Sequence, residues 1–175
     1  MNDEMLARIA QAVASGLKCE PTDAVAANVP TVNGNSISLS IARKLIAAVE
    51  KRAAQIGVNA VVAVADRAGR PVAVECMDNS YIASFDVALK KSYTVVALKM
   101  PTITLKPLAQ PGESLYGIQF TNDGQIVVFG GGDPLVYNGE IIGGLGVSGG
   151  TEDQDTELSA YGAECLAKIM EGECI

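Results

Sequence analysis

Apolar residues in this chain recur at three- and four-residue steps in some stretches and alternate or cluster in short runs in others. Over residues 4–17, Met5, Leu6, Ile9, Ala12, Val13 and Leu17 share one face of an amphipathic helix. A loop follows from Lys18 to Asn35, marked by Pro21, Pro30 and an Asn-Gly-Asn triplet. A second helix is predicted over 38–56. Its stripe is Ile41, Leu45, Ala48, Val49 and Ile56, its cap Ser36 or Ser38, and Gly57 lies just past its end. Residues 60–66 (AVVAVAD) and 71–77 (PVAVECM) read as strands joined by a tight turn at Arg67-Ala-Gly69-Arg70. A third helix is predicted over 80–99, capped by Asn79 or Ser80. Pro101, Pro107 and Pro111 then punctuate a loop with room for one helical turn.

Two more hairpins follow from turn chemistry. One pairs 117–121 with 125–129 across Asn122-Asp123-Gly124. The other pairs 134–137 with 140–147 across Asn138-Gly139, a dipeptide suited to the two positive φ angles of a type I′ turn. The last helix starts near Glu152, where Thr151-Glu-Asp-Gln154 has the form of a capping box. Every strand pair is joined by a hairpin-length turn, and parallel neighbours would need long crossovers. The predicted fold is therefore α+β, with an antiparallel sheet of about five strands flanked by helices. Two regions are expected: residues 1–36 as helix plus linker, and 37–175 as the main domain.

Ten of the 18 glycines fall between Gly124 and Gly150. Gly144-Leu-Gly146-Val-Ser-Gly149 is a formal dinucleotide fingerprint. It fails as one because no second parallel strand with an acidic residue follows the helix. Gly130-Gly131-Gly132-Asp133-Pro134 lacks the Lys-Ser/Thr of a phosphate loop, and reads either as a tight bend or as a ligand-facing loop of bare amides. Glu152, Asp153 and Asp155 suit the positive end of the last helix and would repel a phosphate there.

Composition narrows the function. The net charge of −7 argues against nucleic acid and anionic membrane surfaces. The N-terminus has acids at Asp3 and Glu4 and no cationic leader, so a cytoplasmic location is expected. No apolar run reaches the ~18 residues of a membrane span. Cys19, Cys76, Cys165 and Cys174 match no zinc spacing and read as free thiols. The chain has no histidine, which removes Ser-His-Asp and Cys-His sites and a histidine ligand to haem from this chain. Cys76 and Met77 are soft atoms that suit core packing or contact with a tetrapyrrole or metal. Lys91, beside Lys90 on the helix after Met77-Asp78, lies either on a solvated face or against a carboxylate or propionate.

Taken in order, Asp66-x-x-Gly69, Met77-Asp78 and Ser84-x-x-x-Ala88-x-x-Lys91-x-x-Thr94 resemble the GlcG/HbpS-like haem-binding proteins, a family that includes the C-terminal domain of PduO-type corrinoid adenosyltransferases. Pro101-Thr102, Gly131-Gly132-x-Pro134, Gly139, Gly143, Gly146-Val147-Ser148-Gly149 and Gln154-Asp155 continue the resemblance, which covers about residues 38–170. It implies a profilin-like α+β domain, usually oligomeric, linked to haem, iron or corrinoid. The adenosyltransferase chemistry belongs to a different, helical domain. The chain departs from the pattern at Cys76, where relatives often carry Arg or another polar residue. A chain-supplied haem ligand would be Cys, Met, Tyr or Lys.

The resulting expectation is a non-catalytic tetrapyrrole-binding or sensing homo-oligomer, with haem or a corrinoid as ligand. Its site would comprise Met77, Asp78, Lys91, Gly131, Gly132, Gly146 and Gly149, with Cys76 or Met77 as metal contact. A second reading makes the chain a microcompartment cargo or structural protein that meets a shell protein through its N-terminal helix. A third is a redox or isomerase-like enzyme at the glycine-rich cleft.

Overall fold

A computed structural model describes residues 36–171. The amphipathic helix expected over 4–17, its linker, Cys19 and Cys174 lie outside the described residues. Helix α1 spans Leu39–Gln55 and is capped by Ser38, whose hydroxyl accepts from the Ile41 amide at 3.3 Å. Ser36, the alternative cap, instead accepts from the Arg67 amide and donates to the Ile142 carbonyl. Strands β1 (Val61–Asp66) and β2 (Pro71–Cys76) form the first hairpin. Helix α2 spans Ile82–Leu98 and α3 Thr102–Leu108. Strands β3 (Gly132–Tyr137) and β4 (Glu140–Ser148) form the second hairpin, and α4 runs over Glu152–Met170.

The four strands are all antiparallel, in the order β2-β1-β4-β3. Side chains alternate across the sheet. Val62, Val64, Leu145 and Val147 face α1 and α4 and build the main core with Leu45, Val49, Leu158 and Leu166. Val61 and Ala63 face the other way, toward Ala88 of α2. The sheet thus lies between two helical layers, which is why β1 is buried on both faces.

The predicted hairpin over 117–129 does not form, so the sheet has four strands rather than about five. Asn122, Asp123 and Gly124 all take positive φ, and two short 3₁₀ turns, Ile118–Phe120 and Asn122–Gly124, replace the strands. The physical reason lies on α2. The Thr94 hydroxyl accepts from the Val127 amide at 3.0 Å and lies 3.2 Å from the Gln125 carbonyl. The backbone of this segment therefore bonds to a helix side chain instead of to a neighbouring strand. Helix α2 also starts later than its sequence suggests. Asn79 adopts φ 64, and the N-cap is Tyr81, with no side-chain hydrogen bond.

The glycine-rich hairpin is explained by close packing. A Cβ on Gly146 would lie 2.1 Å from the Ala88 carbonyl oxygen, and one on Gly144 would lie 2.3 Å from that of Ser92. Bare backbone on this face of β4 lets α2 rest directly on the sheet. Gly146→Ala should destabilise the fold by about 3 kcal/mol, because neither the helix backbone nor the strand can yield cheaply. Urea unfolding measures this; an unchanged midpoint would show that α2 can lift off the sheet without cost.

Candidate functional site

Lys91 is fully buried. Its ammonium donates to the Val147 carbonyl and to Asp155 Oδ2, both at 2.8 Å, and sits 4.8 Å from the centre of the Phe129 ring. Burial pushes its pKa down, against the opposing pull of Asp155 and Glu152. Asp155 completes its shell by accepting from the Gly150 amide at 2.9 Å. Beside this pair, Glu152 accepts from the Gly130 amide at 2.8 Å and is ion-paired with Lys106. Thr102 accepts from the Gly132 amide at 2.9 Å. The segment Phe129–Gly132 is therefore tied down by α2, α3 and α4.

This geometry changes the role of Lys91. Its carboxylate partner belongs to the chain itself, and no exposed face of the ammonium is left for a ligand. Lys90 is paired with Asp86 one helical turn earlier, at 2.9 Å and partly exposed. Gly131, Gly132 and Gly146 surround Lys91 and are all buried. A Cβ on Gly131 would lie 2.6 Å from the ammonium nitrogen. These four expected site residues do come together, as a packed polar core.

Met77 and Gly149 meet elsewhere, around Ala60. The Met77 sulfur accepts from the Ala60 amide at 3.3 Å, and a Cβ on Gly149 would lie 2.4 Å from the Asn59 carbonyl oxygen. Asp78 and Cys76 are exposed. Cys76 pairs with Val61 on the face that α2 covers. Near it, the first turns of α2 present Ile82, 98% exposed, and Phe85, 48% exposed. Cys165 is a buried free thiol in the main core. Among the described residues, no group of three or more His, Cys, Asp or Glu could hold a metal ion. No described helix is long and apolar enough to cross a membrane.

A cleft of about 410 Å³ opens between the α1–β1 loop, the β2–α2 loop and the start of α4. Asn59, Asn79, Tyr81, Gly150, Thr151 and Gln154 line it. The sequence offers Asn79, with Ser80, as a helix cap and gives Tyr81 no place in a site. No local signal marks either as a cleft residue, because the three segments meet only in the fold. A further buried polar contact ties β3 to α4, with Ser159 donating to Asp133 at 2.6 Å. Burial pushes the Asp133 carboxyl up, and the Ser159 bond partly opposes this.

Comparison with known proteins gives a consistent picture. Residues 37–164 match the family model described as "Haem degrading protein HbpS-like". The chain is 41% identical over 134 residues to a 15.0 kDa protein of the dhaT-dhaS intergenic region of Citrobacter freundii, covering 77% of this chain and 94% of that one. It is 37% identical over 124 residues to the corrinoid adenosyltransferase PduO of Salmonella typhimurium, covering 71% of this chain but 37% of PduO. Its fold is similar to the solved structure of a PduOC:heme complex, with a TM-score of 0.71 and 36% identity, covering 74% of this chain and 94% of that one.

Two outcomes test the site as built. Lys91→Ala leaves the Asp155 carboxylate buried without its partner and should cost about 3–5 kcal/mol, while Lys90→Ala should change stability by less than about 0.5 kcal/mol. Equal urea midpoints for the two variants would contradict the buried pair. Asp133 has the opposite sign from a salt-bridged acid. Its raised folded pKa contributes stability at low pH that is lost as pH rises from the ordinary value through the folded one. Asp133→Asn should therefore gain on wild type between about pH 4 and about pH 7, measured by unfolding at both. A constant difference between the two proteins would remove Asp133 as the cause.

Proposed function

The chain belongs to the HbpS-like family, and on that premise we propose that it binds a tetrapyrrole, with haem as the first ligand to test. The observation that carries this reading is the 36% identity to a chain solved with haem bound, over 94% of that chain. The residues present fit such a ligand. Tyr81, Ile82 and Phe85 form an exposed apolar surface at the start of α2, where a flat apolar ring would remove them from water. Cys76 is an exposed thiol on the sheet face beneath that helix. With no histidine in the chain, sulfur or phenol oxygen is the iron donor it can offer there, and the Met77 sulfur already accepts the Ala60 amide. Bound haem would supply the iron and its redox chemistry; Cys76 would hold the iron, and the α2 side chains would exclude water from one ring face. The similarity to PduO supports a corrinoid as the alternative ligand.

Exposed apolar side chains also support a homo-oligomer. Ile82 at 98% and Phe120 at 81% exposure are costly in a free monomer, and burial against a second copy removes that surface from water.

Titration of haemin into the protein should give a saturable Soret band distinct from that of free haemin. Cys76→Ala should shift that band, because it removes the proposed ligand. A spectrum identical to free haemin would overturn the reading, and a parallel titration with a corrinoid tests the alternative. Light scattering should give a mass that is a multiple of the 18.1 kDa chain. A monomer at micromolar concentration would oppose the oligomer.

A further inference from the structure

We infer that the cleft at the start of α4 is a second binding site, for a neutral planar molecule with a carboxamide or lactam edge. It does not depend on the haem reading. Three segments distant in sequence bring their carboxamides to this one concavity: Asn59 from the α1–β1 loop, Asn79 from the β2–α2 loop and Gln154 from α4. The Gln154 side-chain oxygen is committed to the capping box, where it accepts from the Thr151 amide at 2.9 Å. That fixes the side chain and leaves its NH₂ group to donate. The side chains of Asn59 and Asn79 and the Tyr81 hydroxyl form no hydrogen bond to another described residue. The buried polar groups Lys91, Asp155 and Thr102 are by contrast satisfied within the chain.

Charge and shape select the class of ligand. The lining residues include no lysine or arginine, and Glu152 and Asp153 occupy the first turn of α4. The cleft offers an anion no side-chain cation, and the Gly150, Thr151 and Gln154 amides already donate to Asp155, Gln154 and Thr151, so the helix N-terminus here is not a phosphate site. Carboxamides present both donors and acceptors, and match a neutral edge that does the same. Gly57, on the cleft wall, has open space where a Cβ would stand, so a flat ring can approach the backbone. Tyr81, 72% exposed at the rim, offers a face for stacking.

Nicotinamide and its carboxylate isostere nicotinate are the probes, titrated into ¹⁵N-labelled full-length protein without haem, so the result stands apart from the haem test. Nicotinamide should perturb the side-chain NH₂ signals of Asn59, Asn79 and Gln154. Nicotinate should bind about tenfold more weakly. Asn79→Gly keeps the positive φ while removing the carboxamide. Gln154→Glu keeps the capping acceptor while removing the donor. Each should weaken nicotinamide binding by about two- to tenfold. The proposal is overturned if nicotinamide leaves those signals unmoved, if nicotinate binds as well, or if both variants bind like wild type. The comparison of the two probes on wild type decides the matter even if a variant fails to fold.

Discussion

The contact between α2 and the bare backbone of β4 governs the rest of the structure. Gly144 and Gly146 remove every side chain that would hold the helix at its usual distance from a sheet, so the helix carbonyls of Ala88 and Ser92 come to rest on the strand. A helix normally meets a sheet through interdigitated side chains. Here one partner contributes only backbone. Gly132 on β3 extends the same strip, since a Cβ there would lie 3.0–3.2 Å from Thr102, Val95 and Lys91.

That closeness decides the fate of Lys91. A lysine on the inner face of a helix pressed onto a sheet cannot reach water, and burying its charge alone would be prohibitive. The chain resolves this with Asp155 on α4, the Val147 carbonyl on β4 and the face of Phe129. Asp155 reaches across because Gly131 leaves the space between them open. The ion pair therefore links the two helical layers across one edge of the sheet. Its contribution is geometric: it favours the one arrangement in which both charges are satisfied, and any other packing leaves a buried charge unpaired.

With the polar centre closed in this way, the surfaces proposed for ligands lie at the other end of α2. There the chain exposes Tyr81, Ile82 and Phe85 above the sheet face that carries Cys76, and the adjoining cleft gathers carboxamides from three loops. The apolar face proposed for a tetrapyrrole and the cleft proposed for a small neutral ring are thus neighbours, and Tyr81 stands at the boundary between them.

Much of this was legible in the sequence where the signal is local. Asn138-Gly139 marked a hairpin because few residues tolerate two positive φ angles, and Thr151 with Gln154 marked a helix start because the capping box is closed within four residues. The family pattern, spread over Asp66 to Asp155, was also readable, since it resides in residue order and spacing. Tertiary structure decided the rest. Asn122-Asp123-Gly124 has the composition of a hairpin turn, yet Thr94, 33 residues before Val127, captures the strand amide and prevents pairing. The glycines suggested room for a ligand, but the room is filled by a helix that sequence cannot position. The sequence left Lys91 open between a solvated face and a carboxylate or propionate; that its partner is Asp155, 64 residues away, depends on long-range packing that no local spacing encodes.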